Sequence, residues 1–297
     1  MKEQLKAFID LTRLHFFFAW PLLFCAGLFL GFANYGGLSW ELVIKAVFIA
    51  FFGLEAGLIL NDYIDREVDK KDINQDLTRY WRIFNTRPIT SGLITAAQAL
   101  ALFLLFVAIT TILILSLPYP HSAYILIIMI YSYIMEVFYQ IHKRHQRYPI
   151  AQLLGRTDFT LFPVAGYLMV GQPDFTAALI FLFFYPFAIA HLGLNDLADV
   201  DNDKARNMKA VTVLYGVKGT LLWITFFTLL HYGTASLLVS NWGLITIIGF
   251  LLGFLLLGAA NILIWKKPQP HTGLRSLPLF HLTMLVYSLS IIIGSIA

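Results

Sequence analysis

Two clusters of aspartate and asparagine are the residues best suited to chemistry in this sequence. Residues 58–70 read LILNDYIDREVDK, and residues 192–204 read LGLNDLADVDNDK. Both fit the pattern L-x-L-N-D-x-x-D-x-x-x-D-K without a gap. A helix turns by about 100° per residue, so one that continues through each motif presents three carboxylates and one amide within an arc of roughly 100°. Asp201 in the second copy points away from this face.

Carboxylates held this close repel one another, so a cation should lie among them. Oxygen donors alone favour a hard divalent cation, Mg²⁺ before Ca²⁺ or Mn²⁺. The alternative is a set of solvated charges at helix ends. This alternative explains a single motif better than it explains two matching motifs. The helix dipole also disfavours aspartate at the C-terminal end of a helix. Two motifs predict two ions, held by Asn61, Asp62, Asp65, Asp69, Asp196, Asp199 and Asp203.

The segments that must position these motifs are long and apolar. Of the 297 residues, 59% are hydrophobic and 13% are charged, whereas a soluble domain is about a quarter charged. Membrane-spanning segments need about 20 apolar residues and must satisfy their backbone internally, as helices do. The sequence therefore predicts an all-α integral membrane protein, a single domain over 1–297 with nine transmembrane helices in a bundle. The predicted segments are 16–34, 42–61, 96–117, 122–141, 150–171, 176–195, 219–240, 243–264 and 277–296.

The basic residues are distributed unevenly about these segments. With a cytoplasmic N-terminus, the N-terminal stretch and the loops 62–95, 142–149, 196–218 and 265–276 contain 19 of the 21 Lys and Arg residues. Positive charge is enriched in cytoplasmic loops. The N-terminus is therefore predicted on the cytoplasmic side of the cell membrane and the C-terminus on the outer side. Both acidic motifs then lie on the cytoplasmic side of the plasma membrane, at the surface of the lipid bilayer. No nucleic-acid partner is predicted.

Four motifs together resemble those of the UbiA superfamily of membrane-embedded prenyltransferases. That family has nine transmembrane helices, with N-D-x-x-D-x-x-x-D after the second and D-x-x-D-x-x-x-D after the sixth. It often has R-P-x-x-S-G before the third helix, which matches residues 87–92 here, and Y-x-x-x-K-R after the fourth, which matches residues 139–144. The resemblance covers the whole chain, and the paired aspartate motifs are its most specific part.

The resemblance implies Mg²⁺-dependent transfer of an isoprenyl or polyprenyl group from its diphosphate to an acceptor, through an allylic carbocation. The departing diphosphate develops negative charge, which divalent metals and basic residues stabilise. Asn61 and Asp65 are expected to bind one ion, supported by the other two aspartates of their motif. Asp199 and Asp203 are expected to bind the second, supported by Asp196. The expected catalytic residues are Asp65, Asp199, Lys143 and Tyr139, and the expected diphosphate contacts are Arg66, Arg87, Lys143 and Lys204.

The acceptor is expected to be lipophilic or aromatic. Ionisable residues inside a membrane are costly and usually functional, and Arg156 suits the carboxylate of an aromatic quinone precursor. A glycerol-phosphate lipid, as in ether-lipid synthesis, is the alternative acceptor. A cation-coupled transporter is the alternative of another class, although its sites are expected near the bilayer midplane. The residues expected to hold the acceptor are Arg156, Glu55 and Asn195.

Overall fold

All regular structure in the described part of the chain is helical. The computed structural model describes residues 2–237 and 243–297. Single 3₁₀ turns lie at Leu14–Phe16 and Asp69–Lys71. The α-helices are α1 (Lys2–Leu11), α2 (Ala19–Tyr35), α3 (Trp40–Asp65), α4 (Asp76–Trp81), α5 (Ala96–Leu115), α6 (His121–His142), α7 (Ile150–Gly155), α8 (Thr157–Tyr167), α9 (Phe175–Ala198), α10 (Val200–Ala205), α11 (Val211–Ser236), α12 (Leu244–Lys266) and α13 (Pro270–Gly294).

Eight helical stretches among the described residues are long and apolar enough to cross a membrane. They coincide with eight of the nine predicted segments, although residues 238–240 of the seventh lie outside the described part. The fifth predicted segment, 150–171, instead forms two shorter helices, α7 and α8, that meet at Arg156. Neither reaches the roughly 20 residues that a span needs. The predicted all-helical membrane fold is therefore confirmed, with one segment broken.

Polar residues at the start of several long helices explain where these helices begin. The first backbone N–H groups of a helix lack partners within the helix, and a side-chain oxygen can accept from them. Ser39 Oγ accepts from Leu42 N at the start of α3, and Asp174 Oδ1 accepts from Ala177 N at the start of α9. Thr95 and Gln98 form a reciprocal capping box at the start of α5. The two motif-bearing helices, α3 and α9, thus each have a side-chain cap at the end opposite their aspartates.

Helices α2 and α9 are the most enclosed of the long helices. Helix α2 packs against α3, α8 and α13, and α9 packs against α8, α11 and α13. Two glycines allow α2 and α8 to approach closely, because a Cβ at Gly27 would collide with the Pro163 carbonyl and a Cβ at Gly166 with the Phe24 carbonyl. Small residues at helix contacts are common in membrane proteins. This packing brings α8 and α9 to the same internal space as α3 and α6.

Neither acidic motif continues as one helix, so the single face that a continuous helix would present does not form. Helix α3 ends at Asp65, and Asp69 lies on a separate 3₁₀ turn. Helix α9 ends at Ala198, Asp199 departs from helical geometry (φ −104°, ψ 11°), and Asp203 lies on α10. A continuous helix would stack repelling carboxylates at the negative end of its own dipole. With the breaks, the first motif instead turns its last aspartate, Asp69, towards Arg87 and Arg206 of other segments.

The N-terminal helix is tied to the segment that follows α4. The carboxylate of Asp10 accepts hydrogen bonds from Phe84 N (2.9 Å) and from Thr86 N and Oγ1 (both 2.8 Å). Just beyond α1, Arg13 adopts a left-handed backbone conformation with φ 46°. This contact brings α1 and the post-α4 segment, which contains Arg82, to the end of α3.

Candidate active site

Most of the predicted site residues line one cavity of about 330 Å³. This volume falls within the usual range for small-molecule sites. The cavity lies between α2, α3, α6, α8 and α9 and is covered at its polar end by residues around α4. The predicted residues that line it are Asn61, Asp65, Asp69, Arg87, Tyr139, Lys143, Arg156, Asn195, Asp196, Asp199 and Asp203. Four predicted residues, Glu55, Asp62, Arg66 and Lys204, do not.

Basic side chains neutralise the first motif at the cavity. Asp65 binds Lys143 Nζ and Arg144 Nη2, each at 2.8 Å. Asp69 pairs with Arg87 and, at 3.5 Å, with Arg206. Burial raises the pKa of Asp69 although both guanidinium groups oppose that change. The same end of the cavity therefore contains both carboxylates and cations, which suits an anion that arrives with a metal ion.

A row of polar side chains connects Asn61 to Lys143. Asn61 Nδ2 donates to Glu136 Oε1 at 2.8 Å, and Gln140 Nε2 donates to the same oxygen at 2.5 Å. Lys143 in turn donates to Gln140 Oε1 and to Asp65. Glu136, Gln140 and Lys143 share one face of α6 because they are three or four residues apart. This row orients Asn61 and leaves its amide oxygen without a hydrogen bond inside the described structure.

The three aspartates of the second motif differ in their bonding partners. Asp196 accepts from Val211 N at 2.9 Å and from Gln152 at 3.4 Å, so it also fixes the start of α11. Asp199 accepts from Asn202 at 2.7 Å and pairs with Arg206 at 3.4 Å. The Asp203 carboxylate makes no hydrogen bond or ion pair with any residue that the structure describes. Burial, reinforced by the neighbouring Asp199 and Asp196 carboxylates, raises the pKa of Asp203 well above its usual value.

Arg206 links the two motifs. Its guanidinium lies 3.5 Å from Asp69 and 3.4 Å from Asp199, and it also pairs with Asp72. Burial opposes the charge on Arg206, but these three carboxylates outweigh it and raise the pKa further. Arg206 is therefore a permanent cation between the motifs, and sequence reasoning missed it. Its positions three and seven residues after Asp203 and Asp199 were the available signal, since such spacings share a helix face.

Two further arginines at the cavity were also missed. Asp62 is buried and is held by Arg13 Nη2 at 2.9 Å and by Arg82 Nη2 at 2.6 Å. Both arginines line the cavity, whereas Asp62 itself does not. Removing the Asp62 carboxylate would leave both arginines without an ion pair among the described residues. Asp62 thus positions two cations at the cavity, a role that no local spacing in the sequence indicates.

The remaining predicted residues lie away from the cavity. Glu55 is fully buried, and both of its carboxylate oxygens lack a partner. It shares a helical face with Ile59, which packs with α1 and α5 rather than towards the cavity. Arg66 donates to the Tyr63 carbonyl and lies over the Tyr63 ring. Lys204 is exposed, like Asp201, which was predicted to point away from the motif face.

Arg156 and Tyr139 form a second polar region deeper in the same cavity. The Arg156 guanidinium carbon lies 5.7 Å from the Tyr139 ring centre, and Lys143 Nζ lies 4.8 Å from it. Arg156 makes no ion pair within 4 Å among the described residues, and its Nε has no hydrogen-bond partner. Cations over aromatic rings are favoured electrostatically. Arg156 thus presents its charge to the cavity without an ion pair within 4 Å, although Asp158 and Glu136 line the same cavity.

The other end of the cavity is apolar. Its walls there include Trp20, Phe24, Ile49, Ile114 and Ile125. Ile49 precedes Asp65 by 16 residues on the continuous helix α3, which corresponds to about 24 Å at 1.5 Å per residue. The cavity is therefore long, with ionised groups at one end and hydrocarbon side chains at the other.

These residues fit Mg²⁺ as an ion shared with a bound phosphate. Among residues 2–237 and 243–297, no three His, Cys, Asp or Glu side chains lie close enough to hold a metal by themselves. Mg²⁺, however, is usually held by one or two carboxylates together with waters and substrate phosphates. Asp203 and the Asn61 amide oxygen are hard oxygen donors that face the cavity without a protein partner. When bound, the ion would supply positive charge to a departing diphosphate.

Comparisons of this chain with known proteins agree on one family. Residues 19–285 match the model of the UbiA prenyltransferase family. The chain is 28% identical over 224 residues to a 4-hydroxybenzoate octaprenyltransferase from Tolumonas auensis, covering 75% of this chain and 71% of that protein. A digeranylgeranylglyceryl phosphate synthase structure aligns with a TM-score of 0.69 at 21% identity, over 99% of both chains. A UbiA homologue from Archaeoglobus fulgidus bound to GPP and Mg²⁺ aligns at 0.68 and 14% identity, over 96% of this chain and 99% of that chain.

Proposed function

Because the chain belongs to the UbiA prenyltransferase family, we propose that it transfers a polyprenyl group from its diphosphate to the ring of an aromatic acid such as 4-hydroxybenzoate. The main support is the cavity, in which both acidic motifs and several cations meet at one end of a long apolar space. An isoprenyl diphosphate has the matching shape and polarity, with an anionic head and a hydrocarbon tail. The enzyme family argues against the transporter alternative.

The proposed roles follow from the contacts at the polar end. Asn61, Asp65, Asp199 and Asp203 would hold two Mg²⁺ ions together with the diphosphate, and Asp69 and Asp196 would support them. Arg87, Lys143 and Arg206 are the basic residues that line the cavity beside these carboxylates, so they are proposed to contact the diphosphate. Their ion pairs with aspartate would be exchanged for contacts with the metal-bound phosphates. Tyr139 would lie beside the developing carbocation, which an aromatic face stabilises.

The aromatic acid is proposed because of Arg156. Its guanidinium is in the cavity, over Tyr139, and has no carboxylate partner. A bound aromatic carboxylate would supply that partner with the geometry that arginine favours. The naming of the Tolumonas relative as a 4-hydroxybenzoate octaprenyltransferase agrees with this choice. A glycerol-phosphate lipid is kept as the second candidate, because its phosphate would also pair with Arg156.

We also propose nine membrane crossings, with the N-terminus and the site on the cytoplasmic side of the plasma membrane and the C-terminus outside. Lys143, just after α6, binds Asp65 at the polar end of the cavity, and α9 ends there too. Asp174, at the start of α9, instead binds Tyr35 at the far end of α2 (2.7 Å). The chain between Lys143 and Asp174 therefore runs from one end of the bundle to the other, which supports a crossing by α7 and α8. The whole of 1–297 would form one domain.

Purified protein in liposomes, given Mg²⁺, geranyl diphosphate and either 4-hydroxybenzoate or a glycerol-phosphate lipid, tests this proposal. The prenylated aromatic acid is the expected product. Asp65→Asn and Asp199→Asn should each lower turnover by about 10²-fold or more, because they weaken stabilisation of the leaving group. Asp201→Asn is the matched control, since Asp201 lies in the same motif but is exposed, and it should keep full turnover. Product from the lipid alone would favour the second candidate, and unimpaired Asp65→Asn and Asp199→Asn variants would refute the proposed metal site.

A further inference from the structure

A chain of hydrogen-bonding side chains leads from the cavity wall to the loop helix α4. Tyr80 Oη and His281 Nδ1 are 2.6 Å apart, and His281 Nε2 and His191 Nε2 are 2.9 Å apart. His191 lines the cavity. Asn195, one turn later on α9, contacts the His191 ring and also lines the cavity. Tyr80 is half-buried on α4, outside the bundle. Three different segments, α9, α13 and α4, thus contribute to one continuous path.

The histidine pair has the features of a proton path. A contact between two Nε2 atoms requires one ring to donate and the other to accept, so a proton already lies between the rings. Neither ring is paired with a carboxylate in the described structure. The His281 ring is surrounded by Phe16, Trp81 and Tyr80, with Tyr80 stacked at 5.6 Å and 19°. Aromatic faces exclude water and favour a transient positive charge.

The proposed reaction releases a proton at the place where this path begins. In 4-hydroxybenzoate the hydroxyl group activates the neighbouring ring carbons. The bond between the prenyl carbon and the diphosphate oxygen breaks, a carbon–carbon bond forms, and the attacked ring carbon then carries both a hydrogen and the prenyl group. Loss of that hydrogen as a proton restores the aromatic ring. Arg156, proposed to hold the acceptor carboxylate, and His191 line the same cavity, so an acceptor bound to Arg156 lies in the space that His191 faces.

We infer that His191, His281 and Tyr80 carry the ring proton of the acceptor out of the cavity, with His191 as its first acceptor. The inference rests on the proposed aromatic prenyl transfer. His191 Nδ1 takes the proton and passes the Nε2 proton to His281 Nε2. His281 passes its Nδ1 proton to Tyr80 Oη, which releases its own hydroxyl proton to solvent. One proton enters and one leaves, no oxidation occurs, and diphosphate departs separately with the metal.

A kinetic isotope effect at the acceptor ring tests this path. Turnover is measured in liposomes with Mg²⁺, geranyl diphosphate and either ordinary 4-hydroxybenzoate or the form deuterated at both carbons beside the hydroxyl group. In the wild-type protein the two rates should be equal, because ionisation of the diphosphate limits turnover. His191→Gln should lower turnover by about 10²-fold, as expected for loss of a general base, and should make the deuterated acceptor clearly slower. A variant that is only structurally damaged would be slow with both forms alike.

Tyr80→Phe examines the outer end of the path and keeps the ring that stacks on His281. It should show the same isotope effect with a smaller loss of turnover. Tyr185→Phe is the matched control, because the Tyr185 hydroxyl also makes one hydrogen bond, to the Leu153 carbonyl at 2.9 Å, outside this path; its two rates should be equal. Equal rates for the two acceptor forms in both His191→Gln and Tyr80→Phe would overturn the relay while leaving prenyl transfer intact. Failure of the wild-type protein to prenylate 4-hydroxybenzoate would overturn the proposed function, and the relay with it.

Discussion

Asp203 differs from the other carboxylates of the two motifs because its carboxylate makes neither a hydrogen bond nor an ion pair with any described residue. Lys143 and Arg144 bind Asp65, and Arg206 binds Asp199. Burial, together with Asp199 and Asp196, raises the pKa of Asp203. Such a group keeps its proton to a higher pH than an ordinary aspartic acid does, and a divalent metal must displace that proton in order to bind. Binding of a metal ion at Asp203 should therefore depend on pH.

The Mg²⁺ requirement should therefore depend on pH. A carboxyl group with a raised pKa stays protonated at pH values where an ordinary aspartic acid, with a pKa of about 3.9, is ionised. Mg²⁺ must displace that proton, so the Mg²⁺ concentration for half-maximal turnover should rise as the pH falls. Titrations of turnover against Mg²⁺ at a series of pH values measure this. Asp203→Asn should weaken Mg²⁺ binding and reduce this pH dependence; a pH dependence that persists unchanged in the variant would contradict the assignment to Asp203.

Close contact between α2 and α8 determines the width of the cavity at the level of the helices. Helix α8 contributes Phe159 and Phe162 to the wall, and α2 contributes Trp20 and Phe24. Gly166 makes this contact possible, because a Cβ there would collide with the Phe24 carbonyl. A backbone atom cannot move aside as a flexible side chain can, so the helices themselves would have to separate.

Gly166→Ala should therefore destabilise the protein by about 1–3 kcal/mol, the usual effect of overpacking, and should lower turnover by shifting the wall of the cavity. Thermal unfolding in detergent and turnover with geranyl diphosphate measure the two effects. Gly233→Ala on α11 is the control, since a Cβ there has nothing within 4 Å and alanine favours a helix by about 1 kcal/mol. Equal stability of the two variants would show that the contact between α2 and α8 tolerates separation.

The two acidic motifs must lie on the same side of the membrane if they act on one diphosphate. That condition holds only if the chain crosses the bilayer between α6 and α9, and α7 with α8 provides the connection. In the proposed topology, the break at Arg156 would place a cation at the cavity without ending the crossing. At the scale of the whole molecule, the broken segment would thus have two functions: it would return the chain to the far side and supply the proposed acceptor-binding residue.

Single cysteines test this topology in a Cys25→Ala background, since Cys25 is the sole cysteine. Tyr119 is 85% exposed between α5 and α6, and Tyr119→Cys should react with a membrane-impermeant maleimide added to intact cells. Lys71→Cys, in the loop after α3, should react only once the membrane is opened. Ala297→Cys should behave like Tyr119→Cys if there are nine crossings. Protection of Ala297→Cys in intact cells would indicate eight crossings and contradict the proposed placement of the second motif.

The sequence by itself determined the class of the fold and the chemistry of the motifs. Long apolar runs form helices in lipid, and two matching sets of aspartates indicate a divalent cation, so both could be inferred from local spacing. Only the tertiary structure decided which charges meet. Arg13 and Arg82 come from distant segments to Asp62, and Arg206 comes from just after the second motif to Asp69 of the first. Glu55 faces away from the cavity although it shares helix α3 with Asn61 and Asp65, which line it. The contact of His191 with His281 likewise joins residues 90 positions apart. Such contacts depend on how helices pack and where they break, and the spacing of residues along one helix does not contain that information.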